Sequence, residues 1–282
     1  MVETLVFAEP PAVGALIVRG VLTRRRAVGK HVLLPDRILR LPQYRSPIER
    51  FAAYTRVCGF PLADRAPATW VHVVAFPLQA ALLAEPDFPF PPAGLVHLRN
   101  AMILHRPIAV TDSLDLLVRP GDLRPHPRGH VFDVISEARV GNDLAWSGVS
   151  TYLARSAATA DEPAEEDRRP APGGWPRPAQ RWRLPADLGR RYAAVSGDIN
   201  PIHLSPVTAR LFGYRRPLAH GMWTQARALA AFGHLPECYT VSVAFHRPVL
   251  LPATVGFAGE RRRWAVLTQA GKELLTGAII SP

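Results

Sequence analysis

Residues 192–209 read YAAVSGDINPIHLSPVTA. Gly197 can let the chain leave a helix, since glycine is common in the left-handed turn past a helix C-terminus. Asp198 and Asn200 are turn formers, and Pro201 pushes Asn200 toward an extended backbone. Ser205 and Pro206 then supply an N-cap and a first-turn proline for the next helix. The outcome is a short polar loop between two helices, holding Asp198 and His203 on one piece of backbone. A carboxylate and an imidazole fixed in this way can hold one water between them, which is a general acid/base arrangement. An Asp and a His met singly would mean less, because a helix-ending turn and a core histidine have the same residue types.

Outward from this loop, the second half contains two helical stretches, DLGRRYAAVSG from Asp187 and GMWTQARALAAFG from Gly221. Strand-like runs follow: YTVSVAFHRPVLL, ATVGFAGERR, RWAVLTQA and ELLTGAII. The first half repeats the plan. The helical run TWVHVVAFPLQAALLA precedes VHLRNAMILHRPIAV, DSLDLLVRP, HVFDVISEARV and LAWSGVSTYLA. These runs are rich in β-branched and aromatic residues and are separated by Gly, Pro or charged turns. A long apolar helix followed by several antiparallel strands predicts an α+β fold, the helix lying on a curved sheet.

The halves also resemble each other in sequence. His105-Arg106-Pro107-Ile108 falls on His246-Arg247-Pro248-Val249 at an offset of 141 residues, and the same offset puts Phe51-Ala52-Ala53 on Tyr192-Ala193-Ala194. A repeat of this size is a duplicated domain. At that offset Asp198 falls on Val57 and His203 on Leu62, and the run FPLQAALLA, read as the helix equivalent, has no His-Gly. Only the second half is therefore expected to carry chemistry. The predicted organisation is a degenerate first half over 1–155, a linker over 156–180 rich in Ala, Pro, Glu and Arg, and a catalytic half over 181–282.

Composition narrows the partners. The chain has 282 residues, 48% hydrophobic and 20% charged, which is a globular balance. Its 29 prolines fall largely in short runs between apolar segments. The formal charge of +11 is almost all arginine, with only Lys30 and Lys272 as lysines. Arginine suits phosphate and carboxylate, but a solvated surface has the same composition. A long basic run or a zinc-finger pattern is missing, so nucleic acid is not the expected partner. Cys58 and Cys238 form no CxxC pair and give no metal or redox motif. The first twenty residues have no basic leader region, and no segment reaches the roughly 18 apolar residues of a membrane span. The expected location is the cytoplasm.

The string SGDINPIH resembles the signature of the MaoC-like, or (R)-specific enoyl-CoA hydratase 2, family of the hotdog superfamily. Tyr192, Ser196, Gly197, Asp198, Asn200, Pro201, Ile202 and His203 all fit that pattern. Leu218-Ala219-His220-Gly221-Met222 resembles the family's AHGM at the start of its central helix, and Phe245-His246-Arg247-Pro248-Val249 the strand after it. The resemblance implies a double hotdog and reversible hydration of trans-2-enoyl thioesters to (R)-3-hydroxyacyl thioesters. It gives Asp198 and His203 the activated water and the Gly221 N–H the thioester oxygen. Asn200 and Ser196 become supporting residues, and His220 a structural one.

The resemblance requires no metal and no redox cofactor, because coenzyme A or an acyl carrier protein bears the substrate. Arg247 and the pair Arg215 and Arg216 are candidates to meet the carrier's phosphate. The run from Leu78 to Leu83 is either core or the wall of an acyl tunnel. A homodimer is compatible with these features. A thioesterase on the same fold and a non-catalytic acyl-thioester-binding subunit are the rival readings. The intact Asp-x-Asn-Pro-x-His loop argues against both.

Overall fold

The computed structural model describes residues 2–16, 32–155 and 174–280. Its strands are β1 Glu3–Val6, β2 Arg37–Tyr44, β3 Leu95–Leu104, β4 Leu114–His126, β5 Gly129–Val140 and β6 Asp143–Arg155 in the first half. The second half has β7 Gln180–Leu184, β8 Tyr239–Phe245, β9 Ala253–Glu260, β10 Arg263–Thr268 and β11 Glu273–Ile280. Besides a helical stretch over 13–16, the helices of the described residues are α1 Ile48–Cys58, α2 Ala68–Ala84, α3 Leu188–Ser196, α4 Pro206–Leu211 and α5 Gly221–Phe232. A 3-10 turn, Pro201–His203, lies in the polar loop.

One sheet of eleven strands runs β1-β2-β4-β5-β6-β3-β8-β11-β10-β9-β7. Each half contributes its own helix and its own part of the sheet, giving the expected α+β double hotdog. The helix α2 is buried along nearly its whole length, including Val71, Val74, Leu78 and Leu82. A helix that is apolar all round belongs inside a core. The first-half sheet supplies Leu39, Leu116 and Phe132 against it. The shorter helix α5 buries Trp223, Ala226 and Leu229.

The halves join through β3 and β8, which pair antiparallel with Ala101 opposite Ser242. Those two residues are 141 positions apart, so each is the other's repeat equivalent. A local two-fold axis therefore passes through that pair. The same hydrogen bonds recur about it. The N–H of His105 donates to the Ala145 carbonyl at 2.9 Å, and that of His246 to Leu274 at 2.9 Å. The His105 ring meets the Ser147 hydroxyl at 2.9 Å, and the His246 ring meets that of Thr276 at 2.8 Å.

The alignment needs correction at the helices. Both α1 and α3 end in a left-handed glycine, Gly59 at φ 80° and Gly197 at φ 79°. Matching these caps places Tyr54 on Tyr192 and shifts the offset to 138. The two tyrosines pack across the axis, ring centroids 6.4 Å apart. Asp198 thus falls on Phe60, not on Val57. The start of α2, not FPLQAALLA, is the equivalent of His220-Gly221. The N–H of Ala66 donates to the Ile108 carbonyl at 2.9 Å, as that of Ala219 does to Val249 at 2.8 Å. Pro67 and Ala68 therefore stand where the second half has His220 and Gly221.

Most of the expected linker, residues 156–173, lies outside the described residues. Its last part packs on the second half. The Trp175 indole donates to Glu273 at 2.7 Å, and the Ala179 N–H donates to the Phe257 carbonyl at 2.9 Å. Among the described residues no helix is long and apolar enough to cross a membrane.

Candidate active site

The polar loop is built by its own side chains. The Asp198 N–H donates to the Ser196 hydroxyl at 3.1 Å, and the Asn200 N–H to Asp198 Oδ1 at 3.2 Å. Asn200 Oδ1 in turn accepts from the Ile202 N–H at 3.3 Å, capping the 3-10 turn. Ser196 and Asn200 thus brace the loop, and the Asn200 backbone fixes one carboxylate oxygen. Gly189, which the sequence did not single out, lets α3 lie against this loop. A Cβ there would sit 1.9 Å from the His203 carbonyl oxygen. From the first half, Arg50 donates to the carbonyls of Val195 at 2.8 Å and Ser196 at 3.2 Å. These are carbonyls of the last turn of α3, which lack helical partners.

His203 is buried, and its Nδ1 lies 2.9 Å from the Leu218 carbonyl. A carbonyl only accepts, so Nδ1 carries the hydrogen and Nε2 of the neutral ring is bare. Burial lowers the pKa of this ring, against the opposing field of Asp198. His203 is therefore neutral near pH 7, with a free acceptor nitrogen. His220 stacks on it with centroids 3.7 Å apart and planes inclined by 26°. The Nε2 of His220 lies 2.9 Å from the Asp198 carbonyl oxygen and so is the protonated nitrogen. Burial, with His203 beside it, drives the His220 pKa down to about 3. Its 3.8 Å approach to the Asp198 carboxylate is accordingly not an ion pair.

Gly221 opens α5, where the first N–H groups have no helical carbonyl to meet and the helix end carries partial positive charge. A Cβ on Gly221 would come within 3.0 Å of the Phe245 ring, so glycine keeps the approach to its N–H open. In the first half the matching N–H, of Ala68, is taken: it donates to the Tyr239 hydroxyl at 3.0 Å.

Asp198, His203, His220 and Gly221 line a cavity of about 1070 Å³. Its walls come from both halves. Helix α2 contributes His72, Phe76, Ala80 and Leu83 at helical spacing, while Leu78 and Leu82 are core. The expected tunnel run is thus divided between the two roles. Arg247 lines the cavity, its guanidinium donating to the Glu273 carbonyl at 2.7 Å. Arg215 and Arg216 are exposed and stand outside its lining. Arg128 and Arg155, from the first half, do line it. Nothing in their sequence context marks them, since both lie far from the motif.

Asp198, His203 and His220 place potential ligand atoms within 4.8 Å of one another. They do not converge on one ion. A metal sits about 2.0–2.1 Å from an imidazole nitrogen and in the plane of the ring. Two nearly parallel rings in van der Waals contact cannot share such a point.

Residues 169–277 match the family model for the MaoC like domain. A 3-hydroxyacyl-thioester dehydratase X of Mycobacterium tuberculosis is 38% identical over 226 residues, covering 79% of this chain and 80% of that protein. This chain belongs to the MaoC-like dehydratase family. The solved structure of HtdX from Mycobacterium tuberculosis superposes with a TM-score of 0.76 at 35% identity, over 86% of this chain and 99% of the other. A second Mycobacterium tuberculosis protein, with a double hotdog fold, aligns at a TM-score of 0.50 and 15% identity, over 83% of this chain and 92% of the other. That likeness concerns the fold alone. The MaoC-like match lies on the half that holds Asp198 and His203, while the match to the dehydratase relative extends over 79% of the chain.

Proposed function

We propose that this MaoC-like protein catalyses the reversible hydration of trans-2-enoyl thioesters to (R)-3-hydroxyacyl thioesters. The observation that carries the reading is one cavity wall with three features: a braced carboxylate, a neutral imidazole with a bare nitrogen, and the open N-terminus of α5. Asp198 Oδ2 and His203 Nε2 hold the water over C3. One of them takes a proton as the water's oxygen bonds to C3, and the same site returns a proton to C2. The C2–C3 double bond is consumed, and no electron leaves the substrate. The Gly221 N–H stabilises the oxygen of the enolate-like transition state, an interaction typically worth about 2.7–4 kcal/mol. The reverse sequence is dehydration. His220 is a positioning residue: it donates to the Asp198 backbone and stacks on His203.

The thioester is borne by coenzyme A or an acyl carrier protein, and the reaction needs no metal or redox cofactor. Arg247 is the arginine of the predicted three that the cavity includes. It meets the carrier's phosphate more readily than Arg215 or Arg216. Both halves that build the cavity are in one chain, so a homodimer is not needed to complete the site.

The test is hydration of crotonyl-CoA and of a longer trans-2-enoyl-CoA, followed by loss of the enoyl absorbance. Wild type is compared with Asp198→Asn and His203→Ala. Each substitution is expected to lower kcat by about 10²–10⁴ while melting remains cooperative. Full activity in either folded variant removes that residue from the mechanism. Inactivity of wild type on both CoA esters and on the matching carrier-protein ester removes the reaction itself.

A further inference from the structure

The short helix α4 turns apolar side chains to solvent. Val207 and Leu211 are 69% and 80% exposed, and Phe212, just past the helix, is 37% exposed. Residues three and four apart on a helix are neighbours on its surface, so Val207, Arg210 and Leu211 form one outward face. The helix itself is held by polar contacts. The Ser205 hydroxyl accepts from the Thr208 N–H at 3.1 Å, and the Thr208 hydroxyl donates to the Pro201 carbonyl at 2.7 Å. Val207 and Leu211 therefore do little to keep α4 in place, and an apolar face beside an active site calls for another explanation.

Its place and its charge supply one. The bond from Thr208 to Pro201 ties α4 to the turn that carries His203. Phe212 is exposed and also lines the catalytic cavity, so it stands at the cavity rim. Tyr214 lines that cavity too, and with Arg210, Gly213 and Arg215 it lines a second depression of about 330 Å³. Arg210, Arg215 and Arg216 are exposed here. So is Arg190, whose guanidinium donates to the Leu204 carbonyl at 3.1 Å, next to the start of α4. Residues 199–236 include no Asp and no Glu. The rim thus combines an apolar face with uniformly positive charge.

We propose that this rim docks an acidic acyl carrier protein, with Val207 and Leu211 taking its apolar contacts and Arg190, Arg210, Arg215 and Arg216 its carboxylates. The inference rests on the hydratase reading of the site and commits that reading to one carrier. Coenzyme A brings phosphates but no protein surface to cover Val207 and Leu211. The patch is small, whereas a standard stable interface buries about 800 Å² on each partner. A carrier has to leave after every turnover, and a small contact suits it. Complementary charge then supplies the encounter rate and the orientation more than the affinity. Because Phe212 and Tyr214 belong to the rim and to the cavity wall alike, a thioester tethered to the docked carrier enters the cavity that holds Asp198 and His203.

The experiment presents the trans-2-octenoyl group on coenzyme A and on an acidic bacterial acyl carrier protein. Wild type is compared with Leu211→Glu and Arg210→Glu, both at exposed positions where melting should stay unchanged. Each variant is expected to raise KM for the carrier-protein ester by about tenfold, the scale of one strong interface contact. Its kcat on that ester and its kcat/KM on the CoA ester should hold. An unchanged KM for the carrier-protein ester in both variants overturns the proposal. So does an equal loss on both esters, which would mean that α4 shapes the cavity. A dimer in ultracentrifugation that Leu211→Glu dissociates would assign the patch to a second copy of the chain. Sedimentation with phosphatidylglycerol vesicles that the same variant abolishes would assign it to a membrane. Either result overturns the proposal as well. If wild type hydrates neither ester, the hydratase reading fails separately. Fluorescence anisotropy of a labelled octanoyl carrier protein then decides the docking claim. A Kd that both variants weaken about tenfold supports it, and an unchanged Kd, or no binding to wild type, overturns it.

Discussion

The Tyr239 hydroxyl accepts a hydrogen bond from the Ala68 N–H at 3.0 Å. Ala68 is the repeat equivalent of Gly221, so the second half closes in the first the same helix end that stays open in its own. The residue related to Tyr239 by the 141-residue offset is Leu98, which has no hydroxyl to offer and lines the cavity. Replacing Tyr239 by Phe is expected to strand a buried N–H and to cost about 1–3 kcal/mol of stability. Hydratase activity should not change. Urea unfolding beside a crotonyl-CoA assay checks both parts.

Gly221→Ala tests the open helix end. The added methyl meets the Phe245 ring at 3.0 Å, so the ring or the helix start must shift. The expected result is a fall in kcat of about 10² or more, the scale for loss of one oxyanion donor, with little change in melting. A second substitution, Phe245→Leu, makes room and should restore part of the rate. Steady-state kinetics of the single and double variants measure this. An unaltered kcat in Gly221→Ala would mean that the Phe245 ring yields and that the methyl does not close the approach to the N–H.

Arg50→Ala removes the first half's hold on the end of α3. Two carbonyls, of Val195 and Ser196, lose their guanidinium donor. A loss of about 1–3 kcal/mol in stability is expected, with a fall in kcat because the Asp198 loop follows directly. Arg50→Lys should not rescue it, since one ammonium group cannot reproduce the two-point contact of a guanidinium. Denaturation midpoints and kcat for the two variants decide this. Full rescue by lysine would mean that only the charge matters.

Acid should weaken the fold through buried imidazoles. His72 is pushed down to about 4, and His97 and His220 to about 3, mainly by burial. In the unfolded chain they titrate near the ordinary value of about 6.5. Below that pH the unfolded state binds protons that the folded state refuses, so stability is full above about 6.5 and declines as pH falls toward 3–4. Each histidine can add a slope of up to about 1.4 kcal/mol per pH unit. Urea midpoints measured between pH 7.5 and 5 should fall, and His72→Phe should flatten the slope. A midpoint that holds constant over that range would mean these rings are not neutral in the fold.

The loop from Ser196 to His203 and the Ala219-His220-Gly221 turn could be read directly, because each residue has a local job that restricts its type. The long helices and the inner strands were also legible from their apolar runs. The edge strands β1 and β7, and β2 beside β1, were not, being short or interrupted by charge and proline, as in the run RILRLPQY of β2. The repeat was visible at His105 and His246, but one offset could not serve the whole chain. Loops of different length separate the elements in the two halves, so the register moves from 138 at the helix caps to 141 at the central strands. His72 and His97 were illegible for another reason. A histidine within an apolar run, helical for His72 and a strand for His97, reads as core, and only the packed fold brings it to a cavity wall. Arg215 and Arg216 stand out as a charged pair, yet neither lines that cavity.

Ala101 and Ser242 face each other across the local axis, the place where two separate subunits of a symmetric dimer would meet. Identical subunits would have to accept every substitution twice, once at each site. Covalent fusion removes that constraint. One copy can keep the chemistry unchanged while the other drifts, trading a redundant reaction centre for a wall of new shape. The protein is in effect a heterodimer whose stoichiometry cannot go wrong, and its first half is the part free to follow a change of diet.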